Sequence, residues 1–305
     1  MKEASIITKV NRMVHLGRIS RALRPADIVS IAYFTVLSLL ILIFHENLKG
    51  WGFYLGIHAV VILLIFALIR AALGAKSGIV MFFRDWYPAL LAIFGFEEMG
   101  LLVTLIFPYW ANSFVMGLDK AVFGVHPTVW LEKFSVPWLN EIMVFFLFAY
   151  FLMLPVGGGI FYIRGKKTEF QALLFNVVLS YFICFLLFLV FPAEGPWVIM
   201  KGFHAGELEG GPLFNLYYSL QQAASIRGGC FPSSHVAGAF AVAFSFLSRH
   251  KKTGFALLFV ASGVAVGTVF TRYHHAVDSI AGILLAAACV LIGTRVSRSW
   301  EKKHR

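Results

Sequence analysis

Long apolar runs recur along the whole chain with short polar stretches between them. They predict membrane-spanning helices near 27–45, 51–70, 86–108, 138–163, 170–192, 232–248, 254–271 and 277–294. This pattern predicts an all-α fold, a polytopic membrane helix bundle of about eight transmembrane helices. Lys2 to Arg24 is basic and amphipathic, and the first apolar run has the length of a span. The start of the chain is therefore expected to lie on the membrane surface as a helix rather than to be a cleaved signal.

Composition agrees with the pattern. The chain is 59% hydrophobic and only 13% charged, about half the charged fraction of a soluble domain. The net charge of +11 raises the question of nucleic acid, and its distribution answers it. Lys49, Lys120, Lys133, Lys201, Arg227 and Arg272 fall on one side of the expected spans, and all other Lys and Arg fall on the opposite side. Such alternation is what the positive-inside rule produces for eight helices with both termini cytoplasmic. The basic balance is topological, membrane lipids are the expected surroundings, and no nucleic-acid partner is implied. Cys184 and Cys289 lie within spans and Cys230 stands alone, so neither a disulfide framework nor a metal site follows from spacing. No oligomeric state follows either.

Two connections on the sparsely charged side are long. Residues 109–137 mix apolar residues, Trp110 and Trp130 with scattered charges, as an interfacial stretch would. Residues 193–231 are rich in glycine, hold a short predicted helix from Pro212 to Ile226, and lead into a chemically unusual segment. That segment is Phe231-Pro232-Ser233-Ser234-His235. A second, Arg272-Tyr273-His274-His275-Ala276-Val277-Asp278, joins the last two spans on the same expected face.

Pro232 suits a first helical turn, and the free amides of Ser233 and Ser234 beside it would cradle a phosphate. His235 would point at whatever is bound there; a serine-capped helix with an incidental histidine is the plainer alternative. His274 and Asp278 are four apart, so a helix beginning by His274 would let the carboxylate orient the ring as a base or nucleophile. Arg272 suits phosphate oxygens. An ion-paired membrane rim, or metal ligation by His235, His274 and Asp278, are the competing readings.

The runs Gly228-Gly229-Cys230-Phe231-Pro232-Ser233-Ser234-His235 and Arg272-Tyr273-His274-x3-Asp278 resemble two signature motifs of the type-2 phosphatidic acid phosphatase superfamily. The variant is similar to bacterial members near the aureobasidin-resistance inositolphosphotransferases. The resemblance extends through Arg84-Asp85-Trp86-Tyr87-Pro88, Glu97-Glu98 and Phe191 to Pro196, which spans a six-helix catalytic core. It implies three parts: a basic segment at 1–26, two accessory helices at 27–80 and the core at 81–305. It implies that His274 attacks phosphorus, Asp278 orients it and His235 protonates the leaving alkoxide. Arg272, Ser234 and Ser233 would hold the phosphate. No cofactor and no metal are implied. The substrate would be a lipid phosphate, met at the external face of a bacterial inner membrane.

The chain departs from the family in three places. It lacks the first motif, Lys-x6-Arg-Pro, and has Trp197 where close relatives carry an arginine; Thr268 stands where many members have another. Lys201 or Arg227 could supply the missing cation. His275, Glu141 and Trp197 are possible accessory residues, and Glu97 and Glu98 are ionisable groups deep in the third span. The expected function is a membrane lipid-phosphate phosphatase working through a phosphohistidine. A headgroup transferase using the same site is the alternative. A lipid transporter is remote, because no internal repeat is visible and the polar cluster is at one surface.

Overall fold

The computed structural model describes residues 22–304, and the predicted surface helix falls outside them up to residue 21. The described residues form helices and turns, with one isolated bridge between Ala193 and Gly229. In chain order the helices are α1 (Pro25–Ile43), α2 (Trp51–Ala72), α3 (Gly78–Leu102), α4 (Asn112–Phe123), α5 (Pro127–Leu131) and α6 (Pro137–Ile163). They continue as α7 (Lys167–Val190), α8 (Pro196–Ile199), α9 (Pro212–Ala224), α10 (Ser234–Leu247), α11 (Lys251–Phe270) and α12 (Ala276–His304). Among the described residues seven helices are long and apolar enough to cross a membrane, so this is a multi-pass helical membrane protein.

The predicted span at 232–248 differs from the others. It is α10, with 14 residues, hence roughly 21 Å long against a hydrocarbon core of about 30 Å. Its ends are set by chemistry. Ser233 caps the start, its hydroxyl accepting the Val236 N–H at 3.3 Å, and the chain turns at Ser248–His250, where Gly254 packs on the Leu247 backbone. The helix is sheathed by α6, α7, α11 and α12. Val236, Ala237, Ala239, Ala241 and Ala243 are fully buried, small side chains that let neighbouring helices approach closely, as membrane packing favours. Gly238 and Gly282 serve the same end: a Cβ on the first would overlap Tyr181 and on the second the Ser233 carbonyl.

α1 enters this core through Tyr33, stacked on Phe182 of α7 at 4.2 Å. Two buried polar networks tie α1 to its neighbours. At the end of the bundle away from the motifs, Asp27 accepts both Arg84 Nη atoms, at 2.7 and 2.5 Å, and the Tyr87 hydroxyl; Arg24 meets Asp85 at 2.6 Å. Deeper in the bundle, Ser38 bonds His58 Nδ1 and Glu98 bonds His58 Nε2, each at 2.8 Å. A charge in lipid needs such partners. Glu98 therefore spends its charge on helix packing, while Glu97 stands on the surface of α3.

Candidate active site

The site grows from how α11 stops and α12 starts. α11 ends with Arg272 in the left-handed conformation, φ +62°, the geometry that commonly terminates a helix. The amides of Tyr273 and His274 then turn back onto the Thr268 carbonyl at 2.8 and 3.0 Å. α12 begins at Ala276, and Asp278, in its first turn, reaches back to accept the His275 N–H at 2.7 Å, the carboxylate half of a capping box. His274 is fixed between these two helix ends. Asp278 also joins the motifs, since its carbonyl accepts the Ser233 N–H at 3.0 Å.

His274 is 2% exposed at its side chain. Its Nδ1 lies 3.0 Å from the carbonyl oxygen of Cys230 and 3.4 Å from Asp278 Oδ2. The nearer acceptor is the Cys230 carbonyl, so Nδ1 carries the proton and Nε2 keeps its lone pair. Nε2 is buried and has no hydrogen-bond partner among the described residues. The expected direct Asp278–His274 hydrogen bond is displaced because helical geometry starts two residues after His274. Asp278 Oδ2 is shared instead by the His275 amide and the Cys230 thiol, the latter at 2.9 Å.

His235 faces His274 with ring centres 5.7 Å apart. Its ring is walled by Tyr150 at 4.9 Å and Tyr273 at 5.2 Å. Both histidines line one cavity of about 20 Å³, room for roughly one water. Phe96, Trp197, Ser225, Ile226, Cys230 and Tyr273 share the lining. Loop contacts hold these walls together: Cys230 N–H donates to the Ala193 carbonyl at 3.2 Å and Trp197 N–H to the Arg272 carbonyl at 2.9 Å.

The other predicted residues are placed as follows. Ser234 is buried in the first turn of α10, and the Ser233 hydroxyl is taken by capping. Pro232 precedes that cap rather than occupying the first turn. Arg227 is at the rim, paired with Glu194 at 2.7 Å and lying over the Trp110 ring. Lys201 is exposed and does not line the cavity. Glu141 is occupied elsewhere, accepting the Phe214 N–H at 2.9 Å to cap α9. His275 turns away from the cavity toward Asp119 of α4, 3.4 Å distant; Asp119 in turn accepts the Val277 N–H at 3.0 Å.

Arg272 is also engaged. Its Nη1 donates to the Gly206 carbonyl at 2.8 Å and its Nη2 stands 3.2 Å from Glu132 Oε1. Glu132 further accepts the amides of Ala205 at 2.9 Å and Gly206 at 3.1 Å. Desolvation works against the Glu132 charge, but the Gly206 amide and the Arg272 guanidinium outweigh it and hold the carboxyl below its ordinary 4.5. A carboxyl depressed in the folded state contributes stability above 4.5, and that contribution disappears as pH falls through the lowered value. The 204–206 loop is therefore expected to loosen on acidification below the usual carboxylate range. Amide protection factors at Ala205 and Gly206 should fall there in the native protein and be low at neutral pH in Glu132→Gln. Protection that ignores both changes would show that another contact holds the loop.

Sequence reasoning missed Cys230, Asp119, Glu132 and Glu194. Cys230 belongs to the first motif, but a cysteine without a partner cysteine carries no spacing signal. The three carboxylates lie in or beside long connections whose pairing no spacing reveals.

Comparison with known proteins adds the family. Residues 114–292 match the family model of the PAP2 superfamily. A PA-phosphatase related-family protein of Dictyostelium discoideum is 33% identical over 118 residues, which cover 37% of this chain and 21% of that protein. No solved structure matches. The matched stretch runs from α4 through most of α12, takes in both motifs and is more than half of the chain, and this protein belongs to the PAP2 superfamily.

Proposed function

We propose that this protein is a membrane lipid-phosphate phosphatase that works through a phosphorylated His274. One observation carries the reading: His274 has Nδ1 anchored on the Cys230 carbonyl and an unpartnered Nε2, with a second histidine across a shared cavity. Nε2 attacks phosphorus, forming the P–N bond as the P–O bond to the lipid breaks, and His235 gives that oxygen its proton. Water then enters, His235 takes its proton, and phosphate leaves His274. Splitting the transfer in two needs a nucleophile and a group that moves the proton, the roles proposed for His274 and His235.

Charge stabilisation falls to the first-turn amides of Ser234 and His235, which have no helical acceptor, and to Arg272. For Arg272 to reach a phosphoryl oxygen it exchanges Glu132 for the substrate. No metal is needed for these steps.

Hydrolysis rather than transfer to a polyol is favoured by the cavity. Its volume of about 20 Å³ holds roughly one water and leaves no room for a polyol beside the histidines. The distribution of Lys and Arg supports a site at the external face.

Purified protein in detergent, with EDTA present, is expected to release phosphate from one or more members of a panel of lipid phosphates, with vanadate blocking the release. Absence of vanadate-sensitive release across phosphatidate, lysophosphatidate and isoprenoid diphosphates would overturn the reading. A new phospholipid formed on adding inositol would replace it with the transferase.

A further inference from the structure

Cys230 Sγ, His274 Nδ1 and Asp278 Oδ2 form a buried triangle. The sulfur stands 2.9 Å from the carboxylate oxygen and 3.4 Å from the ring nitrogen, and nitrogen and oxygen are 3.4 Å apart. Three ligands of a tetrahedral zinc, with bonds of about 2.3 Å to sulfur and 2.0–2.1 Å to nitrogen and oxygen, stand roughly 3.3–3.6 Å from one another. Two edges of the triangle already have that length, and the third needs to widen by about half an ångström. All three residues are buried. Asp278 Oδ1 is also buried without a hydrogen-bond partner, a second oxygen on the same carboxylate. Cys230 and His274 both line the cavity, so an ion has a route to them.

We propose that Cys230, His274 and Asp278 form an inhibitory site for a thiophilic divalent cation of the zinc and cadmium class. Binding replaces the thiol proton, which leaves to solvent, so a dication with thiolate and carboxylate is charge-balanced. Burial, and then the Asp278 charge, push the Cys230 thiol well above its ordinary value, and a coordinated metal reverses that preference. The metal takes the Nδ1 lone pair, and the ring proton moves from Nδ1 to Nε2. A neutral imidazole ligated at Nδ1 has no lone pair left at Nε2. The ion therefore disarms the nucleophile without entering the phosphate's place. Losing the Cys230 carbonyl hydrogen bond is the main cost. That the site inhibits rests on His274 being the nucleophile; that it binds does not.

The test uses the purified full-length protein in detergent and cobalt(II) as the probe, because a cobalt–thiolate bond absorbs in the near ultraviolet. One equivalent of cobalt is expected to produce that charge-transfer band, and zinc to remove it by displacement. Cys230→Ser should lose the band and weaken zinc on the order of tenfold or more, while a Cys184→Ser/Cys289→Ser double variant keeps both. A wild type without the band, or a Cys230→Ser protein that retains it, overturns the site. If Cys230→Ser does not fold, the wild type and the double variant decide the matter alone. Zinc at one equivalent should abolish phosphate release and EDTA restore it; a zinc-loaded protein that turns over normally overturns the inhibitory role. If no lipid phosphate is ever hydrolysed, the band still reports the site, and the phosphatase reading alone fails.

Discussion

Replacing His274 with alanine is expected to lower phosphate release on the order of 10⁴-fold or more, the scale on which removal of a catalytic nucleophile acts. His274 touches the Cys230 carbonyl with one nitrogen and the cavity with the other. The substitution thus removes the attacking atom and leaves one buried carbonyl without its donor, a local cost of about 1–3 kcal/mol. A folded, inactive protein is the expected product, and a cooperative thermal transition in detergent, lowered by no more than that local cost implies, would show that inactivity is chemical. The intermediate offers a second reading: native protein quenched in alkali during turnover should carry a phosphoryl group that acid removes, as a phosphohistidine does, and His274→Ala should carry none. His275→Ala is the matched control. Its ring faces Asp119 and lies outside the cavity, so the variant should still form the phosphoenzyme. Phosphoenzyme in His274→Ala and its absence in His275→Ala would exchange the two roles.

The resemblance already points to His274 rather than His275, and sequence legibility ends at what holds each ring. The bundle itself was readable, because lipid forces every backbone polar group into a helix and every span to a minimum length. The exception, α10, is shorter than a usual span because its two ends are fixed, by Ser233, whose N–H is held on the Asp278 carbonyl, and by the turn at Ser248–His250. The site was readable as residue types at two helix ends. What holds them was not. Four-residue spacing suggested that Asp278 orients His274; because the helix begins after His274, the nearer partner is a main-chain carbonyl at 3.0 Å, while Asp278 stays 3.4 Å away and also caps the helix. No side-chain pattern announces a backbone acceptor. Likewise Thr268, conspicuous only as a missing arginine, supplies the carbonyl on which Tyr273 and His274 turn. The pairing of Arg272 with Glu132 joins residues 140 positions apart and leaves no periodic trace. In the proposed mechanism the pairing matters directly, since a cation already paired must be released before it can bind phosphate.

His235 carries the second large effect, and its signature lies in which substrates are spared. His235→Ala is expected to lower release from a lipid phosphate by about 10²–10⁴-fold, the usual contribution of a positioned general acid. The loss should shrink as the leaving group becomes a better one. A lipid alkoxide departs badly without a proton, whereas a nitrophenolate needs none, so nitrophenyl phosphate should lose far less in the first step. Dephosphorylation of His274 would then be the slow step, because the same residue is needed to take a proton from water. The variant should therefore accumulate phosphoenzyme with nitrophenyl phosphate and show a burst of nitrophenol followed by slow turnover. The surroundings make this separable from a packing defect. His235 sits between Tyr150, Phe96 and Tyr273, none within hydrogen-bonding contact of it, and its Nδ1 has no partner among the described residues. Removing the ring thus orphans no polar neighbour, and His235→Gln, which keeps bulk without a titrating nitrogen, should behave like alanine. An equal loss on both substrates would mean that His235 shapes the cavity rather than moving a proton.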